Sequence, residues 1–324
     1  MIRVHRDFDL TRFTSFGVPA RCAAFVEWDS VDDLRDAIAD DSLPHPLKAI
    51  GGGSNLLFVD TFKGSILFRR GATGAARTLD SLCEEMCTKG IWGFENLSGI
   101  PGTVGGATVQ NAGAYGVEMC DLVDKVTLFS LTDGSVHEMS NDDMRFSYRH
   151  SRLKDPDMAG KFVITDVSFN MQAQRSPILD HGSLRDRIMP DEDLSPLSVR
   201  KAVIAMRDSK LPAPSSIGSA GSFFRNPELS PEDFRAFISA NPSAPHYSMP
   251  DGRVKVPAAW LIDRCGLKGA TTGGAAVWHS QPLVLVNISG DASANDVVNL
   301  EKMVCTEVNK RFGITLIPEV EHIY

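Results

Sequence analysis

The chain has 324 residues, of which 43% are hydrophobic, so it can bury substantial cores and form two or three domains. Its formal net charge of −8 argues against a nucleic-acid or membrane-surface partner. No apolar stretch approaches the ~20 residues of a membrane span. The N-terminal MIRVHRDFDLTRF also lacks a hydrophobic signal core, so we expect a cytoplasmic protein.

The first predicted elements are two helices. Ser30 has the residue type and position of a helix cap, and Gly90 is placed to end the second helix. Apolar residues recur at helical spacing in both segments, at Val31, Leu34 and Ile38 and then at Leu79, Leu82 and Met86.

The middle of the chain is predicted to form strands. VTLFSL and SVHEMS flank Asp133-Gly134, which is a strong hairpin signal, and KFVITDVSFNM supplies a further long strand. Residues 172–197 are richer in Pro, Asp and Arg with weak periodicity, and we expect a crossover loop there.

A second αβ region follows the crossover loop. Ser230-Pro231 is predicted to start a helix, and PLVLVNIS at residues 282–289 is predicted to be a buried strand. Ser293 is placed to cap the last helix, which Gly313 would end. The mixture of elements predicts an α+β protein.

The six cysteines show no CxxC pair and no His-rich spacing. Cys83 and Cys87 stand at i, i+4, which favours the buried face of a helix over a metal site. We therefore expect reduced, mostly buried thiols and no bound metal.

Two glycine clusters are the most informative feature of the chain. About half of residues 98–118 are Gly or Ala, without helical or strand periodicity, and GGGSN stands at residues 51–55. Neither cluster fits a P-loop or the GxGxxG dinucleotide pattern. Glycines permit close backbone approach, so we interpret the clusters as two loops that clasp one extended ligand such as a flavin. The competing interpretation is a pair of ordinary tight loops.

Eight motifs in order carry a family resemblance. They are GGGSN at 51–55, ENLSGIPGTVGG at 95–106, QNAGAYGVE at 110–118, SYRHS at 147–151, KLPAP at 210–214, GSFFRNP at 221–227, AAWLID at 258–263 and PEV at 318–320. With them the chain resembles the UDP-N-acetylenolpyruvoylglucosamine reductase family, in the type that has the KLPxP motif and a crossover loop.

The resemblance implies a fold and an activity. The expected fold is a two-lobed, non-Rossmann FAD-binding domain of the PCMH type, followed by a smaller αβ substrate-binding domain. The expected boundaries are 1–69 and 70–190 for the two FAD lobes and 191–312 for the substrate domain, with 313–324 returning to the active site. The implied reaction is NADPH-driven, FAD-dependent reduction of UDP-N-acetylglucosamine enolpyruvate to UDP-N-acetylmuramate for bacterial peptidoglycan, by a monomer.

The resemblance also implies three catalytic residues. Arg149 would bind the substrate carboxylate while negative charge develops, and Ser222 would donate a proton to carbon. Glu319 would assist that step, which requires it to carry a proton or to orient a donor. Taken singly, the three residues also fit a surface ion pair, a turn residue and a solvated charge.

Further residues are implied as ligands of the cofactor and the substrate. The cofactor set is Gly51, Gly52, Gly53, Ser54, Asn55, Leu56, Ser98, Ile100, Pro101, Gly102, Gly105, Gly106, Asn111, Gly113, Ala114 and Tyr115. The substrate set is His181, Lys210, Asn226 and Gln281.

Three departures from the family pattern affect details. His181 stands where relatives often have a Tyr that folds over the nucleotide, and Ile317 replaces an acid before the final Pro-Glu. The stretch GATGAARTLD appears in place of a longer segment and is interpreted as a compressed turn. Two other functions stay open, an alcohol or lactone oxidase of the same FAD fold and a non-catalytic nucleotide-binding protein.

Overall fold

The computed structural model describes residues 1–171, 176–181, 184–188, 193–213 and 216–324. The chain forms two compact units. Unit 1 contains Met1–Asp9, Arg21–Gly53 and Phe62–Ser209, and unit 2 contains Leu10–Ala20, Ser54–Thr61 and Lys210–Tyr324.

Both units contain α-helices and β-strands. The α-helices of the described residues are α1 Val31–Ala39, α2 Leu79–Thr88, α3 Val104–Gln110, α4 Pro196–Asp208, α5 Pro231–Ala240, α6 Ala258–Arg264 and α7 Ala294–Phe312. The strands are β1 Arg3–Asp9, β2 Arg21–Trp28, β3 Leu47–Ile50, β4 Leu56–Phe58, β5 Phe62–Arg69, β6 Gly113–Ala114, β7 Val117–Glu118, β8 Val123–Ser130, β9 Val136–Ser140, β10 Phe162–Phe169, β11 Gly218–Ser222, β12 Glu228–Leu229, β13 Tyr247–Ser248, β14 Val254–Lys255, β15 Thr271–Thr272, β16 Ala275–Val277, β17 Val284–Asn287 and β18 Glu321–Ile323.

The first sheet of unit 1 has the strand order β1-β2-β5-β3. β2, β5 and β3 are parallel, and β1 is added antiparallel at the edge. Helix α1 packs on this sheet through Leu34 and Ala37, which contact the core residues of β2. Ser30 caps α1 in a reciprocal capping box with Asp33, which confirms the predicted helix start.

The second sheet of unit 1 has the order β10-β8-β9. β8 and β9 form the predicted antiparallel hairpin, with Gly134 at φ +72° in its turn. Helix α2 buries Leu82, Cys83 and Met86 in the same core as the inner side chains of β8. The prediction of a helix with a buried Cys83–Cys87 face is confirmed, since both thiols are buried and free.

Unit 2 is built on a sheet with the order β11-β17-β16-β15. All four residues of β17 are buried, as predicted for the apolar run at 282–289. Helix α7 packs its Val297, Leu300, Val304 and Val308 face into the core of this unit. It begins at a Ser293 capping box and ends at Gly313 in the left-handed region, so both predicted boundaries are confirmed.

Three sequence-based expectations differ from the observed elements. Residues 98–118 contain helix α3, although no helical periodicity was apparent there. GATGAARTLD contains a turn as expected, a 3₁₀ turn at Gly74–Ala76, but it also includes the start of α2. Helix α4 begins at Pro196, inside the expected crossover loop, and other parts of that loop lie outside the described residues.

The compact units divide the chain differently from the expected domains. Unit 2 takes 10–20 and 54–61 from the expected first lobe, and unit 1 takes α4 from the expected substrate domain. The functional boundaries at 69, 190 and 312 stay a prediction. No helix of the described residues is long and apolar enough to cross a membrane.

Candidate functional site

The two glycine clusters lie against each other in unit 1. A Cβ atom on Gly51 would overlap Thr103 Oγ1, and one on Gly52 would stand 2.9 Å from the Cα of Gly102. These positions therefore exclude any larger residue. The close approach that the sequence predicted is, in this structure, an approach of the two loops to each other.

Helix α3 begins directly after this contact. Thr103 caps it, because its hydroxyl accepts a hydrogen bond from the Gly106 N–H at 3.2 Å. A Cβ atom on Gly105 would lie 3.1 Å from the Cβ of Ala75, so this glycine lets α3 pack on the Gly74–Ala76 turn. Gly106 is exposed on the other face. Of these two expected cofactor ligands, Gly105 thus has an evident packing role.

A hydrogen-bonded asparagine follows α3. Asn111 has φ +45°, and its Oδ1 accepts from the Cys120 N–H at 2.9 Å. Its Nδ2 donates to Glu118 Oε2 and to the Ser147 carbonyl, both at 2.9 Å. Both amide protons of Asn111 are therefore occupied within the protein. The side chain organises the loop, and a direct contact with a cofactor stays a prediction.

Arg149 lies over the same loop. Its Nη2 donates to the Gly113 carbonyl at 3.0 Å, and its Nη1 lies 3.7 Å from Glu118 Oε1. The guanidinium also stacks on the Tyr148 ring at 4.9 Å, and the side chain is only 16% exposed. These contacts place Arg149 beside the loop that contains Gly113 and Glu118, and its expected contact with a substrate carboxylate stays a prediction.

The segment around Ser98 is fixed by an ion pair that the sequence did not indicate. The Gly99 N–H donates to Asp80 Oδ1 at 2.7 Å, and Arg200 donates to both oxygens of Asp80 at 2.5 and 3.1 Å. The hydrogen bonds from Arg200 hold the pKa of Asp80 below its usual value. Asp80 and Arg200 are too far apart in the chain for any local pattern to reveal the pair.

Arg207 is a second residue that the sequence reasoning missed. A Cβ on Gly99 would lie 3.1 Å from its Nε, and burial lowers the pKa of the guanidinium. Electrostatic interactions with Tyr115, Asp80 and Asp208 act in the opposite direction and raise that pKa. Arg207 is half-buried, and its planar cationic group is of the kind that binds phosphate and carboxylate groups. Its place three residues before the KLPAP motif was the available signal.

His181 lies on the other side of the glycine segment. A Cβ on Gly116 would overlap His181 Cδ2, so the ring rests on the glycine backbone. Asn96 links the segments that contain Tyr115 and Ile178, since its Nδ2 donates to the carbonyls of these two residues at 2.7 and 2.9 Å. His181 is exposed, and its contact with a nucleotide stays a prediction.

In unit 2 the structure brings Ser222 and Glu319 onto neighbouring segments. Ser222 ends β11 with an exposed side chain, after Gly221 at φ +69°. The Glu319 N–H donates to the Phe223 carbonyl at 2.7 Å, and the Arg225 N–H donates to the Ile317 carbonyl at 2.9 Å. This short backbone ladder thus holds the segments of Ser222 and Glu319, about 100 positions apart in sequence, next to each other.

Asn55, the last residue of the GGGSN motif, contacts the segment that contains Glu319. Asn55 Nδ2 donates to the Glu319 carbonyl at 3.0 Å, and the Glu321 N–H donates to the Asn55 carbonyl at 3.0 Å. Leu56 opens β4, which pairs in parallel with β18. Asn55, expected as a cofactor ligand, therefore anchors the segment that carries Glu319.

The remaining substrate candidates have structural contacts in unit 2. Asn226 Oδ1 accepts the Ala258 N–H at 2.9 Å and so caps helix α6 of the AAWLID motif. The Lys210 carbonyl accepts from Trp278 Nε1 at 3.0 Å, and the lysine is exposed. Gln281 closes the turn before β17. The last proline of KLPAP lies outside the described residues.

Comparisons with known proteins agree with this arrangement. Residues 71–140 match the sequence model of an FAD binding domain, and residues 213–323 match that of the UDP-N-acetylenolpyruvoylglucosamine reductase C-terminal domain. The fold and its glycine loops therefore define an FAD-binding α+β protein of two domains.

Relatives along the whole chain specify the family. A UDP-N-acetylenolpyruvoylglucosamine reductase of Bacteroides fragilis is 39% identical over 335 residues, which cover 99% of this chain and 100% of that protein. One of Neisseria meningitidis serogroup C is 39% identical over 330 residues, 95% of this chain and 94% of that protein. The solved structure of the enzyme from Thermus caldophilus matches with a TM-score of 0.70 at 25% identity, covering both chains completely. The chain belongs to the UDP-N-acetylenolpyruvoylglucosamine reductase family. The oxidase alternative is not favoured by these matches.

The residues in unit 1 fit the FAD that the family uses. The loops at Gly51–Gly52 and Gly102–Thr103 present main chain without side chains in the way. The hydroxyl of Ser98 is buried and lacks a hydrogen-bond partner among the described residues. A buried polar group in that state is typical of a site completed by a ligand.

Proposed function

We propose that Arg149, Ser222 and Glu319 carry the chemical step by which this chain reduces UDP-N-acetylglucosamine enolpyruvate, with FAD as cofactor and NADPH as reductant. The observation that carries the proposal is the backbone ladder that holds Glu319 beside the residues after Ser222. In a chain of this family, the ladder brings the PEV and GSFF motifs, which are distant in sequence, next to each other.

FAD, when bound, supplies the hydride chemistry between NADPH and the enolpyruvyl group. The residues proposed to hold it are the glycine loops at 51–53 and 98–106, together with Ser54, Asn55 and Leu56 and the segment 111–115. Their main-chain N–H groups suit an anionic ligand.

Arg149 is proposed to bind the substrate carboxylate. Its guanidinium is already oriented by the Gly113 carbonyl and the Tyr148 ring, so little side-chain freedom is lost on binding. A planar cationic fork matches a carboxylate and stabilises the negative charge that develops on the enolate beside it.

Ser222 is proposed to protonate the enolate carbon, with Glu319 as the group that orients or supplies the proton. The hydroxyl is exposed at the end of a strand, where a reacting carbon can reach it. A hydroxyl is a weak acid, so it needs a strongly basic acceptor and a partner that makes up the lost proton. Glu319 is on the neighbouring segment and is a carboxyl group that can do so.

His181, Lys210, Asn226 and Gln281 are proposed to bind the nucleotide part of the substrate. The proposal rests on their places in the family motifs, because the contacts described above for these residues are all within the protein. We also propose a cytoplasmic monomer that binds neither nucleic acid nor membrane, which agrees with the acidic net charge of −8.

The experiment that tests the function is a spectrum and an oxidation assay. The purified protein should be yellow, with flavin absorbance bands, or become so after incubation with FAD. It should oxidise NADPH steadily only while UDP-N-acetylglucosamine enolpyruvate is present. A colourless protein that FAD cannot reconstitute, or steady NADPH oxidation that ignores the substrate, would contradict the proposal.

A further inference from the structure

A half-buried histidine anchors the strand that follows Glu319. β18 contains His322, whose side chain is only 15% exposed. Its Nδ1 lies 3.1 Å from the Val320 carbonyl, and its Nε2 lies 2.8 Å from Glu301 Oε2 on α7. Both ring nitrogens therefore face oxygen acceptors.

This pairing favours the protonated form of the ring. The Val320 carbonyl and the Glu301 carboxylate both offer acceptor oxygens, so both contacts are satisfied when the two nitrogens of His322 donate. The ring is then an imidazolium. The hydrogen bond to Glu301 raises the pKa of His322 above its ordinary value, while burial acts in the opposite direction.

The same ring contacts the segment that contains Ser222. The Phe223 ring meets His322 edge-on at 6.0 Å, and the Phe223 carbonyl accepts the Glu319 N–H. His322 thus contacts the residue after Ser222 and lies three residues after Glu319. Its position couples both segments to α7.

The ionisable groups around His322 are few in the described residues. Helix α7 contributes Glu301, and Cys305, one turn further along α7, has a pKa that burial raises to about 11. The facing strand β4 is apolar, with Leu57 opposite His322. Of its strand neighbours, Glu321 is exposed. Glu301 is therefore the charged group that controls the state of the ring.

We propose that His322, held as an imidazolium by Glu301, is a positioning residue that fixes Glu319 relative to Ser222 for the proton-transfer step. The proposal rests on the roles given above to those two residues. Because the hydrogen bond to Glu301 raises the pKa of His322, the ring is protonated and forms both hydrogen bonds at low and neutral pH. As the pH rises through that raised pKa, the ring loses a proton and one of the two hydrogen bonds must break.

Three variants test the anchor by stopped-flow measurement of the two half-reactions between pH 6 and pH 10. His322→Phe keeps an aromatic ring but removes both hydrogen bonds. We expect it to slow reoxidation by the enolpyruvyl substrate roughly tenfold or more, since small misplacements of reacting groups have effects of that size. Reduction by NADPH should stay at the wild-type rate. His246→Phe is the matched control, because His246 also bonds a carbonyl two residues earlier and packs on a phenylalanine.

Glu301→Gln gives the sharper result. Its amide can donate to Nε2 of a neutral ring while Nδ1–H still bonds Val320, so both hydrogen bonds survive without a charge. The variant should keep its reoxidation rate at alkaline pH where the wild-type rate declines. Glu301→Ala, which keeps one bond only, should be slow throughout. Identical pH profiles for wild type and Glu301→Gln, or equal slowing of both half-reactions by His322→Phe, would overturn the proposal.

A direct spectroscopic measurement separates this inference from the proposed function. In protein with ¹⁵N-labelled histidine, the signals of His322 are identified as those that disappear in His322→Phe. At pH 7 these signals should be those of a ring with a proton on both nitrogens. A neutral ring would overturn the anchor, whatever the activity. If the ring is charged but Ser222→Ala leaves reoxidation unchanged, then the proposed catalytic role fails and the positioning role fails with it.

Discussion

Arg149 is held in one orientation by contacts on several sides. Its backbone has φ +57°, which an L-residue adopts at an energetic cost of about 1 kcal/mol. Lys154 Nζ donates to the Arg149 carbonyl at 3.1 Å and to Gln110 Oε1 at 2.6 Å, which ties this backbone to the end of α3. Unusual backbone that is fixed in this way is found most often at functional sites.

Replacing Arg149 by Lys should therefore separate charge from geometry. The ammonium keeps the positive charge but cannot form a two-pronged contact with a carboxylate. We expect the KM for the enolpyruvyl substrate to rise roughly 10- to 100-fold, with reduction by NADPH unchanged. Steady-state and single-turnover kinetics measure both.

Arg152→Lys is the control for that substitution. Arg152 is in the adjacent 3₁₀ turn and pairs with Asp155 and Asp157 at 2.6 and 2.8 Å. Arg152→Lys should leave the KM for the enolpyruvyl substrate within about twofold of the wild-type value, as expected for a surface ion pair. Equal effects of the two substitutions would mean that Arg149 has no special contact with the substrate.

Among the secondary-structure elements, α3 is the helix that the sequence does not predict, because of its glycine content. A helix with two successive glycines is weak by intrinsic propensity. It forms because Thr103 caps it and because Val104, Ala107 and Thr108 are buried. Packing of its Gly105 face on Ala75 then fixes the helix beside the loop contact.

The two glycines of α3 should respond differently to alanine. Gly105→Ala would place a methyl group 3.1–3.2 Å from Ala75 and should lower the free energy of unfolding by about 1–3 kcal/mol. Gly106→Ala, with its nearest atom at 3.4 Å, should be neutral or stabilising by up to about 1 kcal/mol. Urea unfolding of the cofactor-free proteins measures both. Equal loss in the two variants would contradict the packing of α3.

The elements that the sequence revealed are those with local signals. Ser30, Ser293 and the Asp133-Gly134 turn each act within a few residues, and the structure confirms all three. The missed features depend on distant partners. Asp80 with Arg200 and Glu301 with His322 are contacts that only the fold creates, and no periodicity in one sequence encodes them.

At the scale of the whole molecule, the residues proposed for catalysis are distributed over both units. Arg149 and the glycine loops belong to unit 1, whereas Ser222 and Glu319 belong to unit 2. The family motifs are the source of these predictions, because the order of the motifs can be recognised despite their large separation in sequence, and the catalytic roles themselves stay predictions. The chain also changes units between Gly53 and Ser54, inside one motif, which composition could not reveal.

The most direct test of the account is the fate of the two half-reactions in Ser222→Ala. Transfer of a hydride from NADPH to the flavin needs no proton donor on carbon, whereas reduction of the enolpyruvyl group does. Ser219→Ala, on the same strand β11, is the matched control. Stopped-flow flavin absorbance follows both steps in one instrument.

We predict that Ser222→Ala binds FAD and is bleached by NADPH at a near-wild-type rate, but regains its colour at least about 100-fold more slowly when the substrate is added. Ser219→Ala should behave as wild type in both steps. If Ser222→Ala slows both steps equally, or neither step, then Ser222 is not the proton donor and the central claim is contradicted.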